Sequence, residues 1–455
     1  CIRDRSKRDG FYGAPFWLRW KRVGFINRTG GDGFLMENFY LKNCAMNLYI
    51  ISQKSRGTVF GVGTYIHELT TALKSSGIRI FLVNILCDGK CVRKEEMEGI
   101  TQWYFPTPCS EQWNFLDKEQ RKLYFHNLVY LLRVHIRDRK ELVFHLNHYQ
   151  NEDLATELRE AFDCKVISVS HSSDWTAGIH DNPQRLRAIL KGNRSDVWSE
   201  DVRYAFEEEK ADYMKMDRVI CLSSYMQDLL SHDYGLDPDK IVIVPNGLND
   251  ATTCQSVDQK TLKKKWHIME KERIILFVGR MEDIKGGHFL VRTFMKVLED
   301  YPESRLMIIG DGNYDLFLRN AKPFFTKITF TGLLNKEDLY ELYRLADVGV
   351  VPSLFEPFGY VPVEMMMHEL PIIATATSGL NEVVDESCAL KIPLIVSSDS
   401  VEIDVSLLAE KILYLLQNPE EAKRLGKNGR KRYLEKYSSE VFRENMLTFY
   451  KSLWP

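Results

Sequence analysis

The densest chemistry in the sequence lies between Phe355 and Glu364, which reads Phe-Glu-Pro-Phe-Gly-Tyr-Val-Pro-Val-Glu. A short apolar run at 348–351 ends just before it, a Pro/Gly turn follows, and a helix is predicted to begin near Tyr360. Free amides at a helix start, with their partial positive charge, suit a phosphate. Glu356 falls in the turn, where it can reach a ligand lying over the strand ends. Glu364 lies just over one helical turn further on and can reach hydroxyls alongside. Taken alone, the two acids fit equally well as ordinary residues of a helix N-terminus, where acids are favoured.

A second segment, Phe277-Val-Gly-Arg-Met-Glu-Asp-Ile-Lys-Gly-Gly287, places Arg280 and Lys285 in a loop between a strand and a helix. Arg offers a planar fork and Lys a point charge to one anion, so the pair could neutralise a diphosphate without a metal; two solvated surface cations are the plain alternative. A third segment, Arg56 to Tyr65, carries Gly57, Gly61 and Gly63 between a strand and a helix. Its spacing is not G-x-G-x-x-G, so as a dehydrogenase fingerprint it is weak. It still suits a backbone that approaches an anion. His171 ends another apolar strand, where ligands bind in such sheets, although a lone histidine is more often structural. Val244-Pro-Asn-Gly-Leu248 and Gly310-Asp-Gly312 end two further strands.

These segments need elements to hold them. From Met46 onward, apolar strands at 48–52, 78–84, 142–146, 165–170, 218–222 and 241–244 alternate with helices at 63–75, 152–160, 201–215 and 223–231. After a charged linker and helix at 252–266 the pattern restarts. Strands are expected at 274–278, 305–309, 328–331, 348–352 and 371–374, with helices at 287–301, 314–325, 335–346, 361–367 and 405–416. Continuously apolar strands separated by helices imply parallel sheets covered on both faces. Two such units predict a cleft between them. Residues 438–453 read as an amphipathic helix with Val441, Phe442, Met446, Phe449, Tyr450 and Leu453 on one stripe.

Composition sets the remaining limits. The 455 residues are 44% hydrophobic and 27% charged, with 61 Lys+Arg against 63 Asp+Glu. The formal net charge of −2 offers no excess for coating a nucleic acid. No run of about 18 apolar residues suggests a membrane span. Nine scattered cysteines (Cys1, Cys44, Cys87, Cys91, Cys109, Cys164, Cys221, Cys254, Cys388) suit a reducing compartment better than a disulfide framework. Cys87 and Cys91 lack a second close pair to complete a zinc site, so no metal is expected. Residues 1–45 show no strand or helix period and are expected to be a tail outside the fold.

Together the motifs resemble the family 4 glycosyltransferases, the superfamily of glycogen synthase and sucrose synthase, over about Met46 to the C-terminus. The matches are Val-Pro-Asn-Gly-Leu at 244–248, the run from Phe277 to Gly287, Ile-Gly-Asp-Gly at 309–312, and the run from Pro352 to Glu364. The resemblance implies an α/β GT-B architecture of two Rossmann-like parallel-sheet domains facing across a cleft. It divides the chain into an acceptor domain at 46–252, a nucleotide-sugar domain at 253–437, and a C-terminal helix at 438–455 returning to the first domain. It implies that Arg280 and Lys285 bind the diphosphate, that Glu356 lies against the sugar, and that Glu364 binds the ribose hydroxyls. The amides around Phe358, Gly359 and Tyr360 would form the phosphate and sugar loop. Gly61 and Gly63 match the family's glycine loop, although Val62 separates glycines that are usually adjacent. His171 resembles a histidine near the sugar, and Asn246, Gly310 and Asp311 fall in the matched motifs as further donor contacts.

The implied activity is retaining, metal-independent transfer of a sugar from a nucleotide-diphosphate sugar, with no cofactor. The acceptor would be a glycan, a lipid-linked molecule, a peptide or a small molecule. A cytoplasmic location is expected, and peripheral contact with the inner face of a membrane is compatible with it. An epimerase or phosphorylase on the same scaffold and a catalytically silent binding protein are the alternatives. The intact set of Arg280, Lys285, Glu356 and Glu364 speaks against the silent one.

Overall fold

Strand β1 (Asn47–Gln53) shows why the pattern reads as it does. Leu48 and Ile50 enter one core cluster while Tyr49 and Ile51 enter another, so both faces of the strand are covered. A central strand of a parallel sheet therefore carries no polar alternation. In this computed structural model the described residues are 46–53, 61–107, 118–138, 140–147, 151–180, 182–252 and 258–454. The tail expected at 1–45, the linker at 253–257 and most of the glycine loop lie outside them.

The first lobe is an eight-stranded sheet ordered β3-β4-β2-β1-β5-β6-β7-β8. Its members are β2 (Arg79–Cys87), β3 (Arg93–Met97), β4 (Ile100–Pro106), β5 (Leu142–Leu146), β6 (Cys164–Ser170), β7 (Arg218–Cys221) and β8 (Ile241–Ile243). All pairs are parallel except β3 with β4. The β3–β4 pair and the helix Lys118–His135 fill a stretch that the sequence pattern leaves blank. The reason is physical: β3 is Arg-Lys-Glu-Glu-Met, a largely exposed edge strand. Charge on an edge discourages pairing with other chains and erases the apolar signal.

The second lobe is a six-stranded, wholly parallel sheet ordered β11-β10-β9-β12-β13-β14. Its strands are β9 (Arg273–Val278), β10 (Ser304–Ile309), β11 (Ile328–Gly332), β12 (Val348–Val351), β13 (Ile372–Thr375) and β14 (Ala389–Ile392). A two-stranded antiparallel hairpin, β15 (Leu394–Val396) with β16 (Val401–Ile403), follows. In this sheet the order reverses between β9 and β12, which pair directly. Ligands in such sheets bind beyond the carboxyl ends of the strands at that reversal. The loops that leave β9 and β12 are those carrying Arg280, Lys285 and Glu356.

Two helices fix the relation of the lobes. Helix Pro419–Lys436 presses Gly426 and Gly429 against the second lobe, where a Cβ on Gly426 would lie 2.0 Å from the Glu369 carbonyl oxygen. Helix Ser439–Lys451 then crosses onto the first lobe. Its Phe442 packs on Tyr65 of helix Gly61–Leu73, with ring centroids 5.9 Å apart. Its Tyr450 hydroxyl lies 2.8 Å from Nδ1 of the buried His145 on β5. The crossing is stitched by main-chain contact, because the Leu248 N–H donates to the Tyr437 carbonyl at 2.9 Å. Gly247 must lack a side chain here, since a Cβ would sit 2.2 Å from that of Phe442. Phe442, Met446, Phe449 and Tyr450 join Leu48 of β1 and Ile274 of β9 in a single buried cluster running under both sheets.

Phe442→Ala is therefore expected to destabilise the protein by about 3–5 kcal/mol, the range for emptying a well-packed aromatic site. Urea denaturation measures it, and a change below about 1 kcal/mol would show that the crossing helix is not part of a shared core.

Candidate functional site

The segment after β12 is a loop held open by hydroxyls. Thr375 Oγ1 donates to the Ser353 carbonyl (2.5 Å) and Thr377 Oγ1 to that of Leu354 (2.8 Å). Ser378 Oγ accepts from the Glu356 N–H (2.9 Å) and donates to the Glu356 carbonyl (3.0 Å). The same carbonyl accepts from the Leu380 N–H at 2.9 Å. The run Thr375-Ala-Thr-Ser-Gly379 thus builds the wall behind Glu356, a role the sequence reading missed. The polar run following a buried strand is the signal that was there to be used. Gly359, with φ +89°, turns the chain into helix Tyr360–Met367. The Phe358 ring is buried against Tyr360 and Tyr437, so only its main chain is available to a ligand.

The segment after β9 comes to the same place. A Cβ on Gly286 (φ +64°) would lie 1.8 Å from the Pro352 carbonyl oxygen, so only glycine lets the two loops press together. The Leu354 N–H donates to the Ile284 carbonyl at 2.8 Å. This contact sets Lys285 Nζ 2.5 Å from Glu356 Oε2, with 19% and 16% of the two side chains exposed. Arg280 stands at the mouth of the same loop and pairs with Glu282 at 3.0 Å. Gly310-Asp-Gly312 docks on this loop, for the Met281 N–H donates to the Asp311 carbonyl at 2.9 Å. Gly310 packs so tightly that a Cβ would fall 1.9 Å from the Gly279 carbonyl oxygen. The Asp311 carboxylate is spent locally on the Gly312 N–H at 2.8 Å.

Glu364 lies deeper. It is 7% exposed and accepts from the Tyr343 hydroxyl at 2.8 Å. Burial pushes its carboxyl up to about 7, while the Tyr343 hydrogen bond works the other way. Tyr343 is a site neighbour that nothing in its own segment singles out.

The first-lobe candidates are less closely grouped. Gly61 and Gly63 are the first and third residues of helix Gly61–Leu73, which begins two residues earlier than expected; they form its opening turn rather than a loop. His171, just past β6, has Nε2 3.2 Å from Asn147 Oδ1 and its ring edge-on to Tyr65 at 4.8 Å. Below it sits an acid that was not anticipated, Glu209. This buried carboxyl accepts from the Asp174 N–H (2.6 Å) and from the Tyr234 hydroxyl (2.5 Å), and burial raises it to about 8. It holds the loop that follows His171. Asn246 is buried at the crossing. Its Oδ1, like the Tyr360 hydroxyl, has no hydrogen-bond partner among the described residues.

The chemistry available is that of an anion and polyol site. Two cations, each engaged by an acid, flank a loop that opens a helix, and a third acid, Glu364, lies behind. Among the described residues no group of three or more His, Cys, Asp or Glu is placed to hold a metal. Cys91, Cys164, Cys221 and Cys388 are free thiols. No described helix is long and apolar enough to cross a membrane.

Comparison with known proteins gives this arrangement its class. Residues 59–252 match the profile described as Glycosyltransferase Family 4, and residues 258–432 that described as Glycosyl transferases group 1. Mannosylfructose-phosphate synthase from Agrobacterium fabrum is 30% identical over 248 residues, which is 47% of this chain and 54% of that protein. The chain spans about half the length of the first curated relatives it matches. Among solved structures, sucrose-phosphate synthase from Thermosynechococcus elongatus superposes with a TM-score of 0.69 at 22% identity, covering 90% of this chain and 99% of that one. HepE from Anabaena, solved in complex with UDP-glucose, gives 0.66 at 14% identity, covering 90% and 100%. The chain belongs to the family 4 glycosyltransferases and has their GT-B fold.

Glu364 and Glu209, both raised by burial, carry a pH consequence. Glu364 and Glu209 keep their protons in the folded state to about pH 7 and 8, whereas the unfolded chain releases them near 4.5. Between those limits the folded state binds more protons, so this contribution makes stability fall as pH rises. Glu364→Gln is expected to flatten the decline of Tm between pH 5 and 7.5 relative to wild type. Parallel curves in a thermal-shift series would refute the assignment.

Proposed function

We propose that the protein transfers a sugar, with retention, from a nucleotide-diphosphate sugar to an acceptor hydroxyl, and that it needs no metal ion. The observation that carries this reading is the meeting of Lys285 and Glu356 at 2.5 Å beside the start of helix Tyr360–Met367. A diphosphate laid over that loop would meet the free amides of the helix start, Lys285, and Arg280 once it turns from Glu282. As the bond between sugar and phosphate breaks, charge grows on the departing diphosphate, and the two cations stabilise it where it grows. Lys285 turning to the phosphate frees Glu356 to face the sugar.

Glu364, behind the loop, contacts the ribose hydroxyls. His171 and the first lobe face the acceptor, while Asn246, Gly310 and Asp311 line the donor side. The acceptor hydroxyl attacks the face the diphosphate leaves, with the leaving phosphate as base, so no side chain serves as nucleophile. Glu356 in the loop and Glu364 inside the helix that follows are aimed at different parts of the donor, unlike the paired acids of a glycosidase. The UDP-glucose complex of the structural neighbour supports a nucleotide-sugar donor.

A hydrolysis and transfer screen across nucleotide sugars tests the reading. Lys285→Ala and Arg280→Ala are expected to lose about 10²–10³ in turnover, the scale of removing one preorganised charge-stabilising group. Near wild-type turnover in both variants would remove the cation pair from the mechanism. Glu356→Gln should lower kcat more than it raises KM, and Glu364→Gln should do the reverse, since ribose contacts are alike in ground and transition states. Activity should survive EDTA, and a loss restored by added metal would overturn the metal-free reading.

A further inference from the structure

Glu382 sits four residues beyond Ser378, in the short helix Leu380–Val383 of the second lobe. Its carboxylate does not serve its own lobe. Oε2 accepts from the Ser224 N–H and Oε1 from the Tyr225 N–H, both at 2.8 Å, across the cleft at the start of helix Ser224–Asp228 in the first lobe. The two oxygens thus satisfy amides that a helix start leaves without intrahelical partners, and a carboxylate there is favoured by charge as well. The main chain of Glu382 is meanwhile tied to its own lobe, because its carbonyl accepts from Arg432 Nη2 at 2.6 Å.

The short helix also touches the loop that carries the chemistry. The Leu380 N–H donates to the Glu356 carbonyl. Gly379 is wedged so closely that a Cβ would lie 1.8 Å from the Pro357 carbonyl oxygen and 2.8 Å from Ser223 Oγ of the opposite lobe. Any shift of residues 379–382 is therefore felt at Glu356. A second set of contacts joins the lobes at the hairpin. Asn182 Nδ2 donates to the Ser397 carbonyl (2.8 Å), and Arg194 donates to the Ser398 carbonyl (2.7 Å) and to Asp399 Oδ1 (2.6 Å). Those contacts rest on an exposed turn, and none of these hydrogen bonds reaches the Glu356 loop itself.

We infer that Glu382 is a positioning residue: it couples closure of the cleft to the placement of Glu356, by capping the first lobe's helix while its own helix braces the Glu356 loop. The inference rests on reading this cleft as the sugar-transfer site, and it goes beyond that reading by assigning the coupling to one side chain that need not touch substrate. Closure is a common step in completing a catalytic constellation. A group that acts only through closure should alter turnover while leaving nucleotide binding on one lobe intact.

The test uses the full chain carrying Glu382→Ala or Glu382→Gln, with UDP as the probe. Small-angle X-ray scattering without ligand should show a larger radius of gyration for Glu382→Ala than for wild type. Calorimetry should give a UDP Kd within about twofold of wild type, while kcat falls about tenfold or more. Glu382→Gln, which keeps one carbonyl acceptor, should fall between them. Unchanged scattering together with unchanged kcat would overturn the inference, as would a loss of UDP affinity equal to the loss of kcat. If the wild type neither binds UDP nor acts on any nucleotide sugar, the functional reading fails by itself. The ligand-free scattering comparison still decides whether Glu382 holds the lobes.

Discussion

The contact between Lys285 and Glu356 joins two segments 71 residues apart and sets the terms for the rest of the site. Each charge is largely withdrawn from water, and each compensates the other; removing one partner would leave the second uncompensated in a half-buried cleft. The pair also fixes the geometry around it. Gly286 must be glycine for the loops to approach, Pro352 and Leu354 must present their main chain, and the Thr375–Ser378 hydroxyls must hold the opposite wall. An anionic ligand meets a site already neutral overall, and it gains the lysine only by displacing a carboxylate. In the proposed reaction that exchange would tie the position of Glu356 to the presence of the diphosphate.

The same logic of prepaired charge recurs around the cleft. Arg280 rests on Glu282, and Glu382 rests on main-chain amides of the other lobe. Each contact is one that a ligand or a lobe movement can exchange for another of similar strength, so rearrangement leaves few polar groups stranded. The buried acids behave differently. Glu364 and Glu209 have neutral hydrogen-bond partners and no paired cation among the described residues, and burial resolves the mismatch by keeping the proton.

Much of this was legible in the sequence. The strands of both sheets announce themselves because each is buried on two faces, and the glycines and charged residues of the second lobe fall where those strands end. What stayed hidden has identifiable causes. Strand β3 is a charged edge, and helix Pro419–Lys436 buries few apolar side chains because Gly426 and Gly429 do its packing. The supporting contacts of the site were hidden because they run between segments far apart in the chain. Tyr343 with Glu364, Glu209 with Tyr234 and the Asp174 amide, and Glu382 with the Ser224 and Tyr225 amides become neighbours only after folding. Spacing along a helix could place Glu364 near the site, but not reveal that Tyr343 holds its largely buried carboxyl.

The crossing helix also bears on the order of events during synthesis. The first lobe's last strand, β8, is complete by Ile243, yet the inner face of that lobe around Tyr65 and His145 is finished by Phe442 and Tyr450. About two hundred residues separate the two. At a translation rate of about 5–20 residues per second, the first lobe waits on the order of 10–40 seconds with that apolar face uncovered. During that interval the nascent lobe presents a surface that a chaperone can hold and that another unfinished chain can mistake for its own helix.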